Sequence, residues 1–356
     1  MKMEATSRPV AIWLLTGVAM VVIQIALGGI TRLTGSGLSR TEWNVVTGAL
    51  PPLTAADWAL EFAKYQQTPQ FRLLNFDFTL QEFKTIFFWE WFHRFWARLI
   101  GVVFMVPFLY FLWTRQFRSS MIRPLLILFL LGALQGAVGW IMVASGLTGD
   151  AIYVKPTRLA LHFVLALGLL SYTFWFALQL LVPADQRVGL PLVRKRVIFI
   201  LTLLVVQLAY GAFMAGHKAA TAAPTWPDIN GQVVPDLLRS ANGFLFWIEN
   251  KIAIHFVHRG LAYILLIAVV LLTLQLHRPH GSRWLQRAAW FPISLVLLQV
   301  LLGVLSVLCS TSIVPGQWGL FEWMAQLHQL VAMLLLLSLV LLLYLCSAKA
   351  SGSTES

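Results

Sequence analysis

Eight long apolar stretches constrain this chain more than any other feature. They cover about residues 10–30, 86–113, 124–144, 158–182, 197–215, 252–276, 288–309 and 324–346. Crossing a bilayer takes roughly 20 apolar residues. A bilayer offers backbone amides no water, so each stretch must close its own hydrogen bonds as a helix. The expected fold is therefore an all-α polytopic membrane protein with eight transmembrane helices. Composition agrees: 59% of the 356 residues are hydrophobic and only 11% charged, against about 45–50% and about 25% in soluble domains. The first stretch follows only "MKMEATSRP". It is too long for a signal-peptide core and lacks a small-residue cleavage site, so it reads as an uncleaved helix. The absence of an Arg- and Ser-rich transit segment points to a bacterial inner membrane.

A net charge of +12 raises the question of nucleic acid, but the charge distribution answers it differently. With eight spans, "WTRQFRSSMIRP", "ADQRVGLPLVRKR" and "HRPHGSRWLQR" fall on the same side as both termini. That side carries 13 Lys and Arg against 3 acids, and the other 13 against 11. Short basic loops face the cytoplasm, which places both termini there. The charge records topology, and no nucleic-acid partner is expected. Cys309 and Cys346 lie in or beside apolar helices, away from loops where a disulfide would form, and read as small buried apolar residues.

Two patterns repeat. Each odd-numbered span carries a glutamine followed four residues later by a glycine: Gln24/Gly28, Gln135/Gly139, Gln207/Gly211 and Gln299/Gly303. Positions i and i+4 share a helix face, so each odd helix presents an amide beside a gap where a backbone or a flat ligand can approach. Each even-numbered span carries a histidine near its start: His93, His162, His258 and His328. His93 to His258 is 165 residues, His162 to His328 is 166, and Gln135 to Gln299 is 164. The expected architecture is two pseudo-symmetric four-helix bundles, residues 1–182 and 183–356, related by an axis along the membrane normal. All four histidines fall at one depth, in the outer part of the membrane. Ionisable residues at such depth mark function.

Two histidines facing one another across a four-helix bundle suit a heme with axial imidazoles. The glycines leave room for a macrocycle. Arg94, Arg98 and Arg259 lie within about a turn of the histidines, placed either to pair with propionates or to snorkel to the interface. No cysteine or tighter His/Asp cluster completes a zinc or copper site. One difference breaks the symmetry. Three residues before the first histidine, on the same helix face, the second half has His255 and the first has Glu90. A carboxylate in apolar surroundings is costly unless a cation compensates, and marks a proton acceptor or charge stabiliser. One half would hold a permanent cofactor and the half with Glu90 would react. His217, His277 and His280 fall outside the repeat and read as solvated or interfacial.

The outer connections are long and rich in turn residues: "GGITRLTGSGLSRTEWN" at 28–44, with a connection reaching about residue 85, and "AGHKAATAAPTWPDINGQVVP" at 215–235. Loops of such length are usually functional or disordered. "GGITRLTGSGLSRTEW", "EWFHR", "TWPDINGQVVP" and "FVHRGLAY" resemble, in order and spacing, the signatures of the heme A synthases. The resemblance covers essentially residues 10–346. It implies oxidation of a methyl group of heme O to the formyl group of heme A, the terminal oxidase cofactor. It implies that Glu90, His93 and His162 form the substrate site, with Glu90 essential, and that His258 and His328 hold a resident heme b. Implied partners are heme O synthase, an electron-transfer protein, terminal oxidase assembly and membrane lipid, with room for a homo-oligomer. Some members carry a cysteine pair in the first outer loop. Residues 31–85 have none, which excludes a thiol–disulfide role there and leaves electron delivery open.

The methyl would be oxidised twice, through a hydroxymethyl stage to an aldehyde hydrate that loses water. The oxidising power must come from heme iron and the respiratory environment. If His93 and His162 both ligate the substrate iron, either one is displaced for O₂, or electrons are removed and water captures the carbon. Glu90 would take the proton or stabilise positive charge at that carbon. The competing readings are a diheme b cytochrome, which needs no carboxylate at the first site, and a heme transporter or chaperone, which needs weak ligation in one half.

Overall fold

The structure, a computed structural model, describes residues 8–42, 49–276 and 282–347. Eight helices in it are long and apolar enough to cross a membrane, and among the described residues there are no β-strands. In chain order the spanning helices are α1 (Arg8–Leu33), α2 (Leu80–Trp113), α3 (Ser119–Ala144), α4 (Pro156–Leu181), α5 (Pro191–Gly216), α6 (Lys251–Leu276), α7 (Trp290–Leu308) and α8 (Leu320–Leu345). The protein is a multi-pass helical membrane protein.

Most helices begin a few residues before their apolar run, where local chemistry supports a polar first turn. Helix α2 starts at Leu80 because Thr79 and Glu82 cap it reciprocally: the Thr79 N–H donates to Glu82 Oε2 at 2.7 Å and the Glu82 N–H to Thr79 Oγ1 at 3.4 Å. This is a capping box. Helices α4 and α5 open with Pro156 and Pro191, where a missing N–H costs nothing. Inside α2, Pro107 cannot donate to the carbonyl of Val103. That carbonyl instead accepts from Trp13 Nε1 on α1 at 2.8 Å.

The first outer connection contains two short helices, Ala55–Gln66 and Pro69–Leu74. Turn-rich composition alone gave no sign of them. Their rings pack as a small cluster on the start of α2, built from Tyr65, Phe83, Ile86 and Phe87 with Trp58, Phe62 and Phe71. They cap the end of the molecule away from the termini, called the distal end below.

Among the first four helices, α1 packs on α2 and on α4, and α4 packs on α3. Among the last four, α5 packs on α6, α6 on α7, α7 on α8 and α8 back on α5, closing a ring. The two sets meet where α4 lies against α5 and α8, and α1 against α8. One continuous apolar core runs through this seam, including Val18, Ile25, Leu170, Val197, Leu204, Val269, Met333 and Leu339. Lipid is as apolar as these side chains, so close packing and hydrogen bonds must hold the seam. Gln326 Nε2 donates to Ala26 O at 3.1 Å and Gln329 Nε2 to Ile25 O at 2.8 Å. Gly29 makes the approach possible: a Cβ there would lie 2.5 Å from Gln326 Oε1 and 2.7 Å from Gln329 Oε1.

Candidate heme-binding and catalytic sites

Each glutamine–glycine pair of an odd helix receives the histidine of the following even helix, and this happens four times. A Cβ on Gly28 would lie 3.3 Å from His93 Nε2, and one on Gly211 would lie 3.4 Å from His258 Cε1. On Gly139 it would lie 2.8 Å from His162 Cε1, and on Gly303 2.9 Å from His328 Cε1. The gaps expected to admit a macrocycle are filled by imidazoles. The glycines bring the rings against the helix backbone, and the glutamines then fix them. Gln24 Nε2 donates to His93 O at 3.2 Å and Gln135 Nε2 to His162 O at 3.1 Å. Gln299 Nε2 lies 3.2 Å from His328 Nε2, and Gln207 Nε2 lies 3.5 Å from His258 Nε2.

In the second half the geometry suits two ligands to one metal. The rings of His258 and His328 are 6.3 Å apart between centroids. A metal–imidazole bond is about 2.0–2.1 Å and the ring centre sits about 1.1 Å behind the nitrogen, so a metal between two imidazoles separates the rings by roughly that distance. His328 Nδ1 lies 3.0 Å from Gln299 O. Donating there, the usual supporting contact of a metal-binding histidine, fixes the tautomer in which Nε2 is the acceptor nitrogen, facing Gln299 Nε2 at 3.2 Å. Buried atoms without a partner cluster at the same places: His258 Nδ1 and Oε1 of Gln24, Gln135, Gln207 and Gln299. Such atoms are rare in native interiors, and these are placed where a bound group could meet them. Among the described residues no three His, Cys, Asp or Glu side chains gather around a common point. His258 and His328 form a facing pair, a donor set that would suit a macrocycle-bound iron.

The position three residues before the first histidine distinguishes the halves. Glu90 is 2% exposed and His255 is fully buried, and each grips the loop that follows the odd helix of its own half. His255 Nε2 donates to Ala219 O at 2.7 Å, and its Nδ1 accepts from Arg259 at 3.1 Å. Both ring nitrogens are occupied, so His255 is a latch and not a ligand. Glu90 reverses the polarity. Its Oε2 accepts from the Ser39 hydroxyl at 2.6 Å and the Arg40 backbone N–H at 2.9 Å, and its Oε1 pairs with Arg94. The substitution of a carboxylate for an imidazole is matched by a loop that offers donors where the other loop offers a carbonyl. Ser39 is 1% exposed and touches the candidate catalytic group directly. Sequence reading marked its loop as a source of amide donors without singling it out. Nothing in a linear motif ties position 39 to position 90.

The arginines divide as well. Arg259 Nη1 donates to Thr225 O at 2.9 Å and Asp228 O at 2.7 Å, and Nη2 to Ala223 O at 2.7 Å, fastening the 215–235 loop. Arg94 joins Glu90 to Glu42 O at 3.2 Å. Arg40 is 8% exposed, lies over the Phe87 ring at 5.4 Å, and has its pKa lowered chiefly by burial and then by Arg94, against Glu90, with Arg98 lowering it further. Arg94 and Arg98 oppose the Arg40 charge while Glu90 and Glu61 support it, so guanidiniums and carboxylates cluster at the distal end of the first half. His217 Nε2 donates to Ile248 O at 2.9 Å at the end of α5, a tie between loops. His277 and His280 lie outside the described residues.

A family model described as cytochrome oxidase assembly protein matches residues 11–340. Curated proteins named heme A synthase are similar along most of the chain. The one from Flavobacterium psychrophilum is 39% identical over 335 residues, covering 93% of this chain and 96% of that protein. The one from Rhodopseudomonas palustris is 40% identical over 362 residues, covering 99% and 96%. The one from Rhodospirillum centenum is 44% identical over 307 residues, covering 85% and 82%.

Proposed function

Because this chain belongs to the heme A synthase family, an enzyme family acting on heme, we propose that its two halves divide that task. Residues 1–182 bind heme O as substrate and oxidise one of its methyl groups in two steps to the formyl group of heme A. Residues 183–356 hold a resident heme b between His258 and His328. The observation that carries the division is Glu90. It is buried, held by three donors, and stands where the other half has a histidine latch.

The donor sets fit the groups assigned to them. His93 and His162 in one half, and His258 and His328 in the other, would hold the heme iron, and bound heme would supply the redox chemistry. The cluster of Arg40, Arg94 and Arg98 would neutralise the substrate's propionates at the distal end. Glu90, with Arg94 on Oε1 and two donors on Oε2, is held as an acceptor with its oxygens fixed in direction. Such a group favours a carbon that becomes positive as electrons leave it, and orients the water that captures that carbon. It then receives the released proton on an oxygen already hydrogen-bonded. With both oxygens engaged by fixed donors, Glu90 is oriented for charge stabilisation. Water capture is thus the route these residues support best.

Four chain features favour a bacterial inner membrane with both termini in the cytoplasm: the three basic loops at the termini's end and the net positive count there. Heme O synthase, an electron acceptor and the terminal oxidase assembly machinery are the partners this reaction requires. Pigment extraction from the purified protein tests the reading. Hemes B, O and A together are expected from the wild type, and His258→Ala or His328→Ala should lose the low-spin heme b spectrum. Heme B alone, or a normal heme b spectrum in both variants, would instead favour a simple cytochrome or dissolve the two-site division.

A further inference from the structure

The two halves differ in one helix contact. In the second half α6 and α7 pack together and close the ring; their counterparts α2 and α3 meet only weakly. Every other neighbour relation of one half recurs in the other: α1 on α2 as α5 on α6, α3 on α4 as α7 on α8, and α1 on α4 as α5 on α8. The first half is therefore a row, α2–α1–α4–α3, with open ends facing each other.

Side-chain bonds confirm which neighbours hold these two helices. Helix α2 is fastened to α1 along its length by Trp13 to Val103 O, Trp96 Nε1 to Met20 O at 2.9 Å, and Gln24 to His93 O. Helix α3 is fastened to α4 by Gln135 to His162 O and by Arg158 Nη1 to Ile141 O at 2.9 Å. Between α2 and α3, among the described residues, the ring contact is Phe104 with Phe129, centroids 6.5 Å apart. It lies toward the end that carries the termini, where Phe111, Met121, Leu125 and Leu128 share one cluster. The pair is thus joined near its short turn and unjoined toward the histidines.

Glycine positions on α2 and α3 differ between the halves as well. Gly132, Gly136 and Gly139 stand at i, i+4 and i+7 on one face of α3. Gly139 meets His162, whereas a Cβ on Gly132 or Gly136 would meet nothing within 4 Å, and the same holds for Gly101 on α2. By the 164- and 165-residue offsets the closed half carries Val296, Val300 and Leu266 at these positions, and Val296 is buried. At these three positions the first half is open and the second carries larger side chains, while Gly260 on α6 is open as well.

We propose that the substrate heme enters, and the product heme leaves, sideways from the lipid between α2 and α3, while the closed α6–α7 pair retains the resident group. This rests on the assignment of the first half as the substrate site. A large apolar macrocycle partitions into lipid, so a lateral opening at histidine depth delivers it without exposing it to water. A substrate must exchange and a cofactor must not, and the two packings match those needs.

The test uses the full chain in lipid nanodiscs, with heme O added to the lipid and its capture followed by the Soret change. Gly132→Val with Gly136→Val, which imports the side chains of the closed half, is expected to slow capture at least ten-fold while extractable heme B stays at the wild-type level. Capture at the wild-type rate by a variant that keeps heme B overturns the proposal. If that variant fails to fold, a second measurement decides. In a Cys309→Ala, Cys346→Ala background, Gly136→Cys should react with a lipid-soluble maleimide at least ten-fold faster than Val300→Cys, and heme O should protect it. Equal rates overturn the lateral route. If wild-type capture is unaffected by His93→Ala, the substrate-site assignment itself fails, which is a different outcome from a closed gap.

Discussion

At the scale of single residues, the first half is organised around one carboxylate. Burying Glu90 in an apolar helix is tolerable because Arg94, the Ser39 hydroxyl and the Arg40 amide satisfy it. Sequence singled out Glu90 as the asymmetric residue, because its offset from the histidine repeats at 255. Its partners were not legible, since hydrogen bonds from a loop 50 residues upstream leave no periodic trace. Arg94 reads from its spacing as a propionate partner or a snorkelling cation, and its position on Glu90 shows a further role. Ser39→Ala removes one donor to a charged acceptor, a bond worth about 1.5–3 kcal/mol. Its expected effect is a fall in kcat of roughly ten- to hundred-fold with KM for heme O and heme B content unchanged, and Ser39→Thr should restore much of the rate. A fall in heme B content, or no change in kcat, would show that the hydroxyl serves only packing.

At the scale of helices, the glutamine–glycine pair and the histidine form one joint, used four times. The pattern was legible because helix periodicity reveals which residues share a face. What faced that gap was not, because periodicity says nothing about the neighbour. The structure puts the imidazole there, so the glycine protects a ligand's position rather than a cofactor's volume. A side chain at Gly303 would start 2.9 Å from His328 Cε1. Gly303→Val is therefore expected to displace His328, with an overpacking cost of about 1–3 kcal/mol, and to lose most of the low-spin heme b absorbance. Retention of a normal spectrum would mean that the ring approaches from elsewhere when heme is bound. The short helices Ala55–Gln66 and Pro69–Leu74 were hidden for a simpler reason. Their polar faces and single turns of apolar residues resemble loop composition, and they are stabilised by packing on α2 rather than by propensity.

At the scale of the whole molecule, the first four and last four helices share most of their neighbour relations and differ in few. The eight spans and their order were legible from apolar length alone, and the repeat from constant offsets. The open α2–α3 pair was not, since glycines on a membrane helix more often mark close packing than its absence. The seam between the halves is fastened by Gln326 and Gln329 on either side of His328, bonded to the backbone of α1 just beyond Gln24. The two halves therefore share a wall, as the proposed dependence of one half's reaction on a redox group in the other would require. The most direct test of this division is heme extraction from purified Glu90→Ala protein expressed in cells that supply heme O. The expected result is heme B at the wild-type level, heme O present and heme A absent. Heme A at the wild-type level, with heme B retained, would contradict the assignment of the chemistry to the first half.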